Sequence, residues 1–337
     1  MPRKICFAIL ADAIAGLSAV DTPSPFSAPL LAIIIILWLS VFPVAGAQTF
    51  KAQVERVLVD VIVQGEPSGT LKQEDFILLA DGKPKHISYF GRDELPLAIA
   101  MLIDSSRSVA PFFQDLKDAA ASLVLGLKPE DRVAIYTATA PATRISRLTA
   151  GRSVTLGSLA SFQPLGGSAI VDGIDFAATD LLHSENQVRR VILVLSDDID
   201  PTSKIPDYQL SRKLLQNEIT VFLIKTKSVM PFPMKMRDVA GKRMPFPATT
   251  RSSSPFVEAT GGKVISLRSR FSALWARRSL SEGFSELLRI LRNRYTLGFV
   301  PDPTAGRFHP IRVALRKDLG PKRFSLRYRQ GYWDAAP

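Results

Sequence analysis

Across 337 residues the chain has a single cysteine, Cys6, and only three histidines, His86, His183 and His309. Cys6 lies in a leader-like N-terminal stretch, so the chain beyond residue 47 has no thiol. Disulfides, thiolate metal sites and cysteine nucleophiles are excluded there. No small-residue-plus-Cys arrangement closes the apolar run, which argues against lipidation. The histidines are far apart and share no motif, which argues against a nucleophilic triad built on Ser106. A phosphate-cradling loop, a cofactor fingerprint, a paired acid and base, a fixed-period repeat and an extended low-complexity tract are also lacking. An enzymatic reading has little to rest on, and the expectation is a non-enzymatic binding protein.

Acidic residues are outnumbered, 31 Asp and Glu against 43 Lys and Arg, for a net charge of +12. Arg3 and Lys4 cancel Asp12 and Asp21, so all of the excess lies beyond Ala47. A basic surface favours acidic partners. The charge is scattered, densest in the C-terminal third, and no nucleic-acid-binding module is visible, so specific nucleic-acid recognition is not expected.

What is present begins with a long apolar run over residues 28–47, ending in Ala45-Gly46-Ala47 before Gln48. This small-x-small pattern resembles a signal-peptidase site. Residues 1–47 are read as a signal peptide or, since about 20 apolar residues can span a bilayer, as an uncleaved membrane anchor giving membrane association. Either way the remainder is expected to be exported: periplasmic, secreted or associated with the cell envelope.

The chain is organised around residues 95–108, LPLAIAMLIDSSRS. Leu97–Ile103 is an unbroken apolar run, the pattern of a strand buried on both faces of a parallel sheet. It ends in Asp104-Ser105-Ser106-Arg107-Ser108, with oxygen-bearing side chains at 104, 106 and 108. A carboxylate and two hydroxyls are hard ligands that suit Mg²⁺ or Mn²⁺, and ligands of open α/β sheets bind at that end of the strands. Strands then alternate with helices: a helix over 111–127, a strand over 132–139, a helix over 169–182 after Gly166-Gly167-Ser168, and the buried strand 191–195 before Ser196-Asp197-Asp198. A helix over 208–216, strands at 220–224 and 263–266, and a helix over 280–292 complete the rhythm. The fold class is α/β: a Rossmann-like doubly wound, mostly parallel sheet over 94–293, with a proline-rich basic insertion at 226–255. Short strands in 48–93 and in 294–337 are expected to pack together as a small accessory β domain in one composite sheet.

The order strand-Asp104-x-Ser106-x-Ser108, then Gly167-Ser168, then strand-Ser196-Asp197 resembles a von Willebrand factor A (VWA) domain. With DFILLADGKPKHISYFGRDELPLAIAMLID, ATGGKVI, RYTLGFVPDP and RQGYW, residues 52–333 resemble the exported VWA-related proteins of acidobacteria. The resemblance implies a metal-ion-dependent adhesion site (MIDAS) formed by Asp104, Ser106, Ser108, Ser168 and Asp197. It would hold Mg²⁺ or Mn²⁺ and engage a protein ligand presenting a carboxylate. Ser168 stands where the family usually has threonine. Arg107 stands where it usually has glycine or another small residue, opposing a cation unless its guanidinium points away. Asp198 replaces a common glycine and partly offsets Arg107. A turn-capping role for Asp104 and the serines stays open. So does a metal-independent scaffold docking acidic proteins or envelope polymers through Arg107 and the basic loop. Asp172 and Asp175 are expected on a solvated helix face, and Asp198 and Asp200 in a solvated loop.

Overall fold

The computed structural model describes residues 56–65, 71–92, 95–106, 109–110, 113–163, 166–184, 188–226, 251–267, 273–302, 306–316 and 324–333. The leader with Cys6, Arg107, Ser108 and residues 227–250 of the insertion lie outside the described residues. Among the described residues no helix is long and apolar enough to cross a membrane.

In chain order the elements are β1 (Val57–Gln64), β2 (Phe76–Ala80), β3 (Lys83–Pro84), β4 (Tyr89–Arg92), β5 (Leu97–Ile103), α1 (Phe113–Gly126), β6 (Arg132–Thr137), β7 (Thr143–Thr149), α2 (Arg152–Ser161) and α3 (Ile170–Leu181). There follow β8 (Arg189–Ser196), α4 (Asp207–Gln216), β9 (Thr220–Lys225), α5 (Ser254–Ala259), β10 (Val264–Ser266), α6 (Ala273–Arg292), β11 (Arg294–Phe299), β12 (Phe308–Leu315), β13 (Ser325–Arg327) and β14 (Gly331–Trp333).

The largest sheet has six strands in the order β10-β9-β8-β5-β6-β7. Its pairs are parallel except the last, where β7 runs antiparallel at the edge. All seven residues of β5 are buried, because side chains alternate across a sheet that is covered twice. Leu97, Ile99, Met101 and Ile103 join the core under α1, α2 and α6. Ala98, Ala100 and Leu102 join the core under α3, α4 and α5. This is the doubly wound α/β architecture expected from the alternation. The expected strand and helix limits hold to within a few residues except for α6, which starts earlier. Edge strand β7 was not expected: Thr-Arg-Ile-Ser-Arg-Leu-Thr buries only Ser146 and carries no apolar run.

The accessory β part is indeed built from both ends of the described chain, but not as one composite sheet. Two four-stranded sheets, β13-β1-β11-β4 and β14-β12-β2-β3, share one apolar core that includes Val59, Val61, Leu78, Leu297, Phe299 and Val313. Aromatic rings bridge the sheets, Phe76 to Tyr295 at 5.3 Å and Phe299 to Tyr332 at 5.6 Å. A strand pattern specifies which faces are apolar, not how many sheets share them. Two four-stranded layers bury both sets of alternating residues, which one layer could not.

The sandwich meets the α/β layer where space admits only glycine. A Cβ on Gly261, whose φ is +79°, would lie 2.3 Å from the Tyr328 carbonyl carbon, and one on Gly262 would lie 1.8 Å from the Val221 carbonyl oxygen. Beside this contact sits a buried ionic cluster. Asp60 of β1 receives Arg294 Nη1 at 3.0 Å and the Thr296 hydroxyl at 2.7 Å, with Arg189 Nε at 3.7 Å. Burial alone would raise the Asp60 carboxyl, but Arg294, Arg189 and Thr296 hold it below the usual carboxylate value. A carboxyl depressed in the folded state contributes stability that is fully present above its unfolded value of about 3.9. That contribution is lost as pH falls through the lower folded value. Asp60→Asn is therefore expected to lower stability at pH 7 and to flatten the acid limb of stability against pH below about 4. Urea unfolding across that range checks both effects.

Candidate functional site

β5 and β8 are neighbours, and both end at the same edge of the sheet, so their terminal polar residues converge there. Asp104 is fully buried, and its backbone N–H donates to Leu195 O at 2.9 Å, continuing the ladder for one residue. One carboxylate oxygen, Oδ1, accepts the Ser106 backbone N–H at 2.8 Å. The other, Oδ2, accepts the Ser196 hydroxyl at 2.6 Å and, at the weak limit of 3.4 Å, the Ser168 hydroxyl. The second loop is joined to the first by an isolated parallel bridge between Ser106 and Gly166 and by Gly166 N to Ser105 O at 3.3 Å. Gly166 takes a φ of +127°, which a side chain would disfavour.

The structure thus brings together Asp104, Ser106, Ser168 and Asp197, all buried, while Ser108 lies outside the described residues. Asp197 Oδ1 accepts Ile199 N at 3.3 Å, but Asp197 Oδ2 is buried with no hydrogen-bond partner. Burial pushes the Asp104 carboxyl up, against the hydrogen bonds from Ser196 and Ser106, and the Asp197 charge adds to the rise. No cationic side chain among the described residues pairs with these two buried carboxylates, one of which has an unpartnered oxygen. Among the described residues no group of three or more His, Cys, Asp or Glu is arranged to hold a metal. A cation here would therefore rest on hydroxyls and two carboxylates, the all-oxygen set that suits a hard dication. The residues present fit such an ion.

Ser196 is the site residue that sequence reasoning passed over. The sequence marks it as the last residue of an apolar strand, quoted in the third-loop motif without a role of its own. Its hydroxyl meets Asp104 because β8 pairs with β5, and it also accepts Asp198 N at 2.9 Å.

Asp198 and Asp200 are not in a solvated loop; both are buried. Asp200 accepts Val171 N at 2.7 Å, together with Thr202 N and Ser203 N, so it caps α3 while closing its own turn. Asp198 takes a φ of +63°, which explains why glycine would serve there and why a short polar residue is tolerated. Its Oδ1 accepts the Ser253 N–H and hydroxyl, both at 2.7 Å. Its Oδ2 accepts the Ser252 and Ser254 hydroxyls at 2.6 and 2.9 Å and Lys225 Nζ at 3.1 Å. Burial would raise this carboxyl, but the three serines hold it below the usual value. Its charge is thus spent on Lys225 and the start of α5, and Arg107 lies outside the described residues. Asp172 and Asp175 are also engaged. Asp172 accepts Lys204 N and Ile205 N, and Asp175 pairs with Lys213.

Replacing Asp198 with Ala removes five acceptor contacts and forces alanine into a left-handed backbone. The expected loss is about 2–3 kcal/mol of stability, read as a lower urea midpoint. Asp198→Gly should recover only the backbone part.

Residues 99–199 match the family described as von Willebrand factor type A domain. No curated protein matches the chain in sequence. Among solved structures, BatB from Bacteroides thetaiotaomicron is 17% identical with a TM-score of 0.42, covering 57% of this chain and 99% of its own. A von Willebrand factor type A protein from Catenulispora acidiphila is 11% identical with a TM-score of 0.44, covering 77% and 75%. Proximal thread matrix protein 1 from the mussel byssus, described with a zinc occupied MIDAS motif, is 18% identical with a TM-score of 0.45, covering 62% and 48%. The family match falls on the stretch from β5 to the third loop and supports a protein-interaction or adhesion role. Residues 99–199, from β5 to the third loop of the α/β layer, are those of a VWA domain.

Proposed function

We propose that the protein is an exported, non-enzymatic binding protein whose VWA domain engages an acidic side chain of a protein partner through a divalent cation. The observation that carries this reading is the buried, unpartnered Asp197 Oδ2 beside the buried Asp104 carboxylate. Asp104, Ser106, Ser168 and Asp197 would hold the ion, with Ser108 from the same loop. Bound Mg²⁺ or Mn²⁺ would supply a Lewis-acidic position for an incoming carboxylate.

The chain's own residues prepare for that. Ser196 and the Ser106 backbone fix Asp104 in one orientation, so little rotamer freedom is lost on binding. Ser106 and Ser168 offer neutral oxygens, so the protein itself brings few charges and leaves a dication able to attract an anion. Asp198 holds the third loop in place without presenting its own charge.

Calorimetric titration of the full chain with Mg²⁺ and Mn²⁺ tests the reading. Saturable binding is expected, with Kd on the order of 10⁻⁴–10⁻³ M as for weakly charged extracellular cation sites, and it should be lost in Asp104→Ala. Capture of an acidic peptide should be abolished by EDTA and survive moderate salt. Binding that resists EDTA but collapses with salt would replace this reading with metal-independent docking through basic residues. If Asp104 served only to cap the turn, Asp104→Asn would lower the thermal midpoint in EDTA and the wild type would give no cation heat.

A further inference from the structure

At the opposite edge of the parallel sheet from the metal-site loops, a cavity of about 80 Å³ lies between the start of β8, the end of α4 and strand β1. Its lining includes Asp60, Val188, Arg189, Arg190, Glu218 and Arg329. The volume is several times the ~10–15 Å³ that one ordered water needs, enough for a small polyatomic ion.

Among the described residues the charges around it do not balance. Asp60 and Glu218 face Arg189, Arg190 and Arg329 across the lining, with Arg294 behind Asp60. Every guanidinium nitrogen of Arg329 has a partner. Its Nε donates to Gly331 O, its Nη1 to Leu58 O and Glu218 Oε1, and its Nη2 to Leu215 O. Glu218 is taken up by Arg329 and by Leu58 N at 3.0 Å. Arg190 gives its Nε to Leu181 O and the Ser184 hydroxyl.

Arg189 is different. It is 6% exposed, and its Nη2 donates to the Thr296 hydroxyl. Its Nε lies 3.7 Å from Asp60 Oδ1, an ion pair beyond hydrogen-bond length. Both Nε and Nη1 are buried with no hydrogen-bond partner. An ionised guanidinium cannot shed its charge by titration, so each unmet N–H carries its full desolvation cost. Asp60, already bonded to Arg294 and Thr296, does not satisfy it. Water in the cavity could accept these protons but would leave the excess positive charge in place.

We propose that this cavity is a binding site for a small tetrahedral oxyanion, inorganic phosphate or sulfate, with Arg189 as its principal ligand. The anion supplies both what Arg189 lacks: acceptor oxygens for Nε and Nη1, and a charge that balances the arginine excess. Because the lining combines β1 of the sandwich with β8 and α4 of the α/β layer, occupation stabilises the junction between them.

The test is thermal unfolding and titration calorimetry of the full chain in phosphate, in sulfate and in chloride at matched ionic strength. In either oxyanion the wild-type midpoint is expected to rise saturably by a few °C above that in chloride, as linkage requires of a ligand that binds only the folded state. Arg189→Lys keeps the charge but loses the planar donors, and it should abolish the rise. Val188→Glu adds a carboxylate to the lining and should abolish it with Arg189 intact; it decides the matter if Arg189→Lys fails to fold. A wild type that unfolds identically in all three salts overturns the proposal, leaving a cavity that holds water. A rise of equal size in both folded variants also overturns it, by placing the anion elsewhere.

Discussion

A strand buried on both faces has nowhere to put a polar side chain except at its ends, and β5 is such a strand. Seven consecutive apolar residues divide between two cores, so the first carboxylate after them falls at the carboxyl edge of the sheet. That places Asp104 beside the end of β8, where Ser196 and Asp197 emerge for the same reason. The amino edge obeys the same rule. Asp131 accepts the Leu97 N–H at 2.9 Å where β5 begins, and Arg189 opens β8 under the sandwich. Both buried ionic centres are consequences of one apolar sheet interior, which excludes charge from the middle and concentrates it at two poles.

The two poles differ in sign and in their surroundings. At the carboxyl edge, Asp104 and Asp197 sit among hydroxyls and backbone N–H groups, the surroundings in which a cation is proposed to bind. At the amino edge, among the described residues, guanidinium groups outnumber carboxylates, and an anion is proposed to bind. Ion pairs hidden from water contribute little net stability over apolar packing, but removing one member is costly because the other remains buried. The Asp60 cluster therefore fixes which strands of the sandwich can dock on the α/β layer more than it adds to the total free energy.

Much of the fold was legible because its signals are periodic. Runs such as Leu97–Ile103 and the helical spacing in α1 need no tertiary context. β7 escaped because a mostly exposed edge strand has neither an apolar run nor a bounding glycine pair, and β14 because three residues show no period. The two sheets of the sandwich escaped because alternation gives a face, not a partner. At the site, Asp104 and Ser106 stand out from the strand that precedes them. Joining them to Ser168 and Asp197, some 60 and 90 residues on, came only from resemblance, since no spacing rule spans such distances. Ser196 and Asp198 act through neighbours set by strand order and by a left-handed backbone, and neither can be read from residue type.

The Asp198 carboxylate also bears on the segment between β9 and α5. Lys225 precedes residues 227–250 and Ser252–Ser254 follow them, yet all four side chains converge on this one carboxylate. The two ends of the segment are thus clamped at a single point. The entropy of closing a chain between fixed ends grows only logarithmically with its length, so doubling it costs about 0.6 kcal/mol. The third loop of the site is thereby uncoupled from the segment's size and composition. Changes in the length or charge of those residues are therefore expected to leave Asp197 undisturbed.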